Sequence, residues 1–123
     1  MKNTKQDAFL VKREKRYAKQ RETRGWDDSE TFSLDLTIAK FALPRLKRFK
    51  KVTCGCPGFL CSGDSHTNDI KAGMKKWYEI LDKIIYAMEI ISDDKKWYAP
   101  ETDDKKVNEG VKLFGEYFRC LWW

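Results

Sequence analysis

Apolar residues recur at helical spacing in three stretches of the chain, and polar, turn-rich stretches separate them. The clearest stripe runs through Ile70, Met74, Trp77, Leu81, Ile84, Met88 and Ile91 in alternating steps of four and three. That period lines one face of an α-helix. Ile80, Ile85 and Ile90 widen the stripe, which marks this helix as central to a core or as touching another subunit as well. An earlier stretch carries Phe32, Leu34, Ile38, Phe41, Ala42, Leu46 and Phe49, of which Ile38, Ala42, Leu46 and Phe49 keep helical spacing. Asp27 followed by Glu30 predicts a capping box at its start. Pro44 lies inside this run. It lacks a backbone donor and its ring crowds the preceding turn, so a kink or break is predicted near Leu43. The last stretch carries Val107, Val111, Phe114, Phe118 and Leu121. Thr102 is its predicted N-cap, with Asp103 and Asp104 at the positive helix end.

Strand-like alternation is weak everywhere. Residues 52–68 are rich in Gly, Pro, Ser and Asp, and residues 92–104 form a polar link holding Trp97 and Tyr98. The pattern predicts an all-α fold. It is a small helical bundle of about three long helices, the first kinked at Pro44, with a Cys/Gly/Pro loop and a basic N-terminal arm. The arm is residues 1–24 and the helical domain residues 25–123.

Charge changes the picture at the N-terminus. The net charge is +6 over 123 residues. Residues 1–24 hold nine Lys/Arg against three acids, 9 − 3 = +6, and the rest of the chain sums to zero. The arm has no continuous apolar face. It reads as a mobile arm or a helix formed on contact, nucleic acid being one such partner, or as a solvated tail that aids solubility. No apolar run reaches the roughly 18 residues that span a bilayer, so no membrane association is expected. The N-terminus is not that of a secretory signal, which predicts an intracellular, reducing location. The cysteines there are thiols or metal ligands before they are disulfides.

Candidate chemistry falls in three places. Cys54, Cys56, Cys61 and His66 place soft and borderline ligands in one loop, a candidate structural zinc site in C-x-C-x4-C-x4-H spacing. The alternative is thiols in a loop, with His66 solvated or bonded to a carbonyl. Between Leu36 and Gly63 there is no acidic residue, while Lys40, Arg45, Lys47, Arg48, Lys50 and Lys51 cluster beside Phe49. Such a patch suits phosphate oxygens or an acidic partner. It also reads as a solvated face neutralised by Asp27, Asp28, Glu30 and Asp35. Trp26, Trp97, Trp122 and Trp123 sit at element ends, where tryptophan anchors partners, stacks bases or packs back on the bundle. Arg119 lies within cation–π reach of Trp122. Cys120 is expected to be packed rather than reactive. The candidate ligand-binding residues are therefore Trp26, Lys40, Arg45, Lys47, Arg48, Arg119 and Trp122. No phosphate loop, dinucleotide fingerprint or nucleophile elbow is present, and there is one histidine, so no enzyme is expected.

Several segments resemble a family of small uncharacterised tailed-bacteriophage proteins. They are Gly25-Trp26-Asp27 through Asp35, Ile38-Ala39-Lys40 through Lys50, Trp77 through Lys83, and Glu109-Gly110-Val111 through Trp123. The family's shorter Gly-Tyr-Pro-like loop is replaced here by Cys54 to His66, and the basic arm is peculiar to this chain. The resemblance implies an accessory protein in the cytoplasm of an infected bacterium. It would act in counter-defence, by sequestering a nucleotide signal or masking a host protein. The resemblance carries no catalytic residues with it. Capture of a phosphate-bearing ligand would be helped by a homo-oligomer that builds a pocket between subunits.

Overall fold

The computed structural model describes residues 4–60 and 67–122, and every regular element among them is helical. Cys61, His66 and Trp123, named above, lie outside the described residues. The chain divides into two compact units, residues 1–37 and 38–123.

In the first unit, most of the basic arm is one helix, α1 (Thr4–Arg24). It contains no Gly or Pro and is rich in Lys, Arg, Gln, Glu and Ala, which lose little on entering a helix. Gly25 ends it in the left-handed region, at φ 86°, with its N–H donating to the Arg21 carbonyl at 2.9 Å. The capping box predicted at Asp27 and Glu30 forms. The Asp27 carboxylate accepts from the Ser29 N–H at 2.8 Å, and the Glu30 carboxylate accepts from the Asp27 N–H at 2.7 Å. A short α2 (Ser29–Phe32) follows and stops at Ser33, where ψ is 72°. The pattern from Phe32 to Phe49 therefore belongs to two helices rather than one.

The third helix, α3 (Leu34–Val52), continues unbroken through Pro44. Pro44 leaves the Lys40 carbonyl without its helical donor, and the neighbouring Arg45 folds back so that Nη1 donates to the Phe41 carbonyl at 2.8 Å.

In the second unit, α3 from Ile38 onward packs on α4 (Thr67–Ile91) through Ala39, Leu46, Ile84 and Met88. Trp77, Leu81 and Ile84 are fully buried, as their stripe predicts, whereas Ile70 at its start is exposed. After a single turn of 3-10 helix at Gly58–Leu60 and the end of α4, a short α5 (Asp94–Trp97) leads to α6 (Asp104–Tyr117). Asp103, not Thr102, caps α6. Its carboxylate accepts from the N–H groups of Lys105 and Lys106 at 3.0 and 3.3 Å, while the Thr102 hydroxyl donates to the Lys96 carbonyl. A carboxylate outbids a hydroxyl here because it adds charge at the positive helix end.

The face α6 buries is turned from the one its aliphatic residues suggest. Val107 and Gly110 are buried, and Val111 and Phe118 are exposed. A Cβ on Gly110 would lie 2.3 Å from the Lys83 carbonyl oxygen and 2.5 Å from the Ala87 Cβ, so the glycine sets the close crossing of α6 on α4. Phe49, Trp77, Tyr117 and Phe59 form a chain of ring contacts 5.6–6.3 Å apart, tying the Cys/Gly/Pro loop to this crossing.

Candidate functional site: a cationic face on α3

The inward face of α3 is set by Ala39 and Leu46, both buried against α4. At about 3.6 residues per turn, Phe41, Pro44, Arg48 and Lys51 fall on the opposite side, with Lys40 and Arg45 on its two flanks. All six are exposed. The acid-free stretch read from the sequence is thereby folded into one cationic surface.

Its charges divide into two groups. Lys47 pairs with Glu89 at 3.0 Å and Lys50 with Asp82 at 2.6 Å, so both hold α3 against α4. The partners of the patch are thus carboxylates of α4, and not those of residues 27–35. Asp27 and Asp28 serve the first unit: Arg21 pairs with Asp27, and Arg24 with Asp28 at 2.7 Å. The Asp27 carboxyl is held below its ordinary value chiefly by the Ser29 hydroxyl, and the Asp28 carboxyl by Arg24 and Gln20.

Lys40, Arg45, Arg48 and Lys51 form no ion pair with a described carboxylate. Arg45 and Arg48 border a hollow of about 610 Å³ with Pro44, Phe49 and Val52. The Arg45 guanidinium lies 3.8 Å from the Phe41 ring centroid, and this stacking, with the bond to the Phe41 carbonyl, fixes the side chain before any ligand arrives. An arginine ordered in this way loses less rotamer freedom on binding an oxyanion.

The other named residues lie elsewhere. Trp26 belongs to the first unit, where the Arg24 guanidinium sits 3.7 Å above its ring. Trp122 is 77% exposed and lines a cavity of about 430 Å³ with Cys54, Cys56, Phe59, Trp77 and Cys120. Arg119 makes no cation–π contact with it. The chain leaves helical geometry at the 3-10 turn Phe118–Cys120, which carries Trp122 away from the face it would share with Arg119 in a continuing helix. Lys47 does not serve as a free cation. Of the proposed zinc ligands, Cys54 and Cys56 lie in the described loop, and Cys61 and His66 fall outside the described residues. Among the described residues no group of three or more His, Cys, Asp or Glu is placed to hold a metal ion. Phe41, overlooked in the sequence because it reads as core, is the aromatic ring that this face does present. No helix among the described residues is long and apolar enough to cross a membrane.

In comparisons with protein-family models, curated proteins and solved structures, none matches the chain.

Proposed function

We propose that this protein is a non-enzymatic binding protein that captures a phosphate-bearing ligand on the outer face of α3. The observation that carries the reading is the pair Arg45 and Arg48 at one hollow, with no carboxylate partner among the described residues. Their planar guanidinium groups match phosphate oxygens two at a time. Lys51 adds a point charge on the same face and Lys40 one on its far flank, and the exposed Phe41 ring offers a surface for a base. A second copy of the chain closing over the open hollow would exclude water from the bound phosphate.

The resemblance to small tailed-bacteriophage proteins supports an accessory role in an infected bacterial cytoplasm, where a cyclic nucleotide immune signal is the ligand that counter-defence would sequester. The test is a thermal-shift series of the full chain against cyclic di- and trinucleotides. Stabilisation is expected, and it disappears in the Arg45→Ala/Arg48→Ala variant. No shift and no retention of any of these compounds would overturn the reading.

A second reading, inhibition of a host defence protein, is favoured by the exposed Trp122 and by Trp97 and Tyr98, which line a separate hollow of about 620 Å³. Recovery of one stoichiometric host protein, lost on Trp122→Ala, would support it over nucleotide capture.

A further inference from the structure

The helix of the first unit sorts its charges by side. Lys5, Lys12 and Lys19 are seven residues apart, which returns each to nearly the same angle on a helix, with a drift of about 20° per step. Arg16 lies on the adjoining line, four residues after Lys12. All four are exposed, and none pairs with a described carboxylate. Asp7 and Glu14, also seven apart, fall on the other side of the helix. Glu22, the acid nearest the stripe, makes no ion pair with Lys19. The cations of α1 that pair with carboxylates, Arg21 and Arg24, lie at its C-terminal end against Asp27 and Asp28, and Arg13 and Arg16 lie over the buried Tyr17 ring.

The stripe from Lys5 to Lys19 is about 21 Å long at 1.5 Å per residue. Each strand of a nucleic-acid duplex presents a phosphate about every 3.4 Å along its axis, so a row of this length meets several phosphates at once. A small ligand cannot engage it along its length. An anionic bilayer fits less well. The side of α1 turned from the stripe sets Glu14, Lys15 and Arg21 among Leu10, Val11 and Ala18, so it offers no continuous apolar face to sink into a lipid interface.

We propose that α1 is a second, separate binding element that grips a nucleic-acid backbone, without reading its sequence, through Lys5, Lys12, Arg16 and Lys19. It lies in a different unit from Arg45 and Arg48 and does not depend on nucleotide capture at α3.

The test is fluorescence anisotropy of the full chain with a short mixed-sequence DNA duplex, and with a single strand of the same sequence, across a salt series. With four phosphate contacts, log K for the duplex falls against log salt with a slope of about −3.6. The Lys5→Ala/Lys12→Ala/Lys19→Ala variant keeps its helix, since alanine is the best helix former. It loses roughly tenfold or more in affinity at low salt, and its slope becomes shallower by about 2.7. Circular dichroism verifies the retained helix. Arg45→Ala/Arg48→Ala leaves the duplex slope unchanged. The proposal is overturned by absence of binding to either probe at low salt, or by an unchanged slope in the triple variant. It is also overturned if duplex binding requires Arg45 and Arg48, or if phosphatidylserine vesicles compete with the duplex for the same lysines.

Discussion

Two helices of this protein carry dense positive charge, and they employ it differently. On α1 the cations Lys5, Lys12, Arg16 and Lys19 form no ion pair with a described carboxylate, although Arg16 acts on Asp28 from a distance, and the pairs Arg21–Asp27 and Arg24–Asp28 are confined to the helix end. On α3 paired and unpaired cations alternate along one segment: Lys47 and Lys50 reach inward to Glu89 and Asp82, while Arg45 and Arg48 face outward around a hollow. The difference teaches that net charge locates a basic segment, but the partner list decides which cations are free to bind. It also predicts ligands of different shape. The α1 row suits an extended polyanion, and the α3 pair a compact phosphate group.

Breaking the support of one helix without the other separates them most forcefully. Trp77 is 1% exposed at the centre of the second unit, so Trp77→Ala is expected to cost about 3–5 kcal/mol and to collapse the α3 face, read as a lowered midpoint in denaturant. Gly110→Val drives a side chain into the Lys83 carbonyl and Ala87, and should cost about 1–3 kcal/mol by the same measurement. An unchanged midpoint in either variant would mean that the α4–α6 crossing does not support this unit.

Protonation offers a finer probe, because the two units should respond at opposite ends of the pH scale. Asp27 and Asp28 have carboxyl pKa values below the ordinary 3.8. Their contribution is present above that value and is lost as pH falls through their lower folded values. Amide hydrogen exchange at the α1–α2 junction should therefore accelerate only under strong acid. Lys83 is raised above its ordinary 10.5, chiefly by its bond to Glu109 at 2.9 Å. That contribution is complete below 10.5 and is lost as pH rises through the folded value, so the α4–α6 contact should loosen at high pH. An α4–α6 contact unchanged as pH rises past 10.5, or an α1–α2 junction already loosened in mild acid, would contradict these assignments.

The smallest effects concern the lysines themselves. Lys47→Ala or Lys50→Ala should lower stability by about 0.2–1 kcal/mol, because both pairs are partly exposed. Lys12→Ala on α1 should leave the midpoint unchanged. Equal losses in both helices would erase the distinction between paired and unpaired cations.

Much of the fold could be read from the sequence where side-chain period and burial coincide. The Trp77–Leu81–Ile84–Met88 stripe is buried as its spacing predicts, and the capping box at Asp27 and Glu30 forms. The α6 register was less legible. Gly110 and Tyr117 line the crossing, yet neither counts as an aliphatic residue, and the contact of Gly110 is made by the absence of a side chain. Pro44 does not end α3, since the packing of Ala39 and Leu46 on either side of it against α4 outweighs one lost helical hydrogen bond. The position of the cationic segment was legible as an acid-free run. Its division was not, because Glu89 and Asp82 lie about forty and thirty residues away in sequence and meet Lys47 and Lys50 only through the α3–α4 packing. Trp122 and Arg119 parted because a 3-10 turn follows α6, a change that periodicity does not announce.

The most direct measurement is a paired titration of two double variants, Arg45→Ala/Arg48→Ala and Lys47→Ala/Lys50→Ala, with the cyclic nucleotide that stabilises the wild-type chain, alongside their denaturant midpoints. The first variant should lose binding at least tenfold and keep its midpoint, and the second should keep binding and lose stability. Binding lost in the second variant but retained in the first would contradict the assignment of capture to the unpaired arginines.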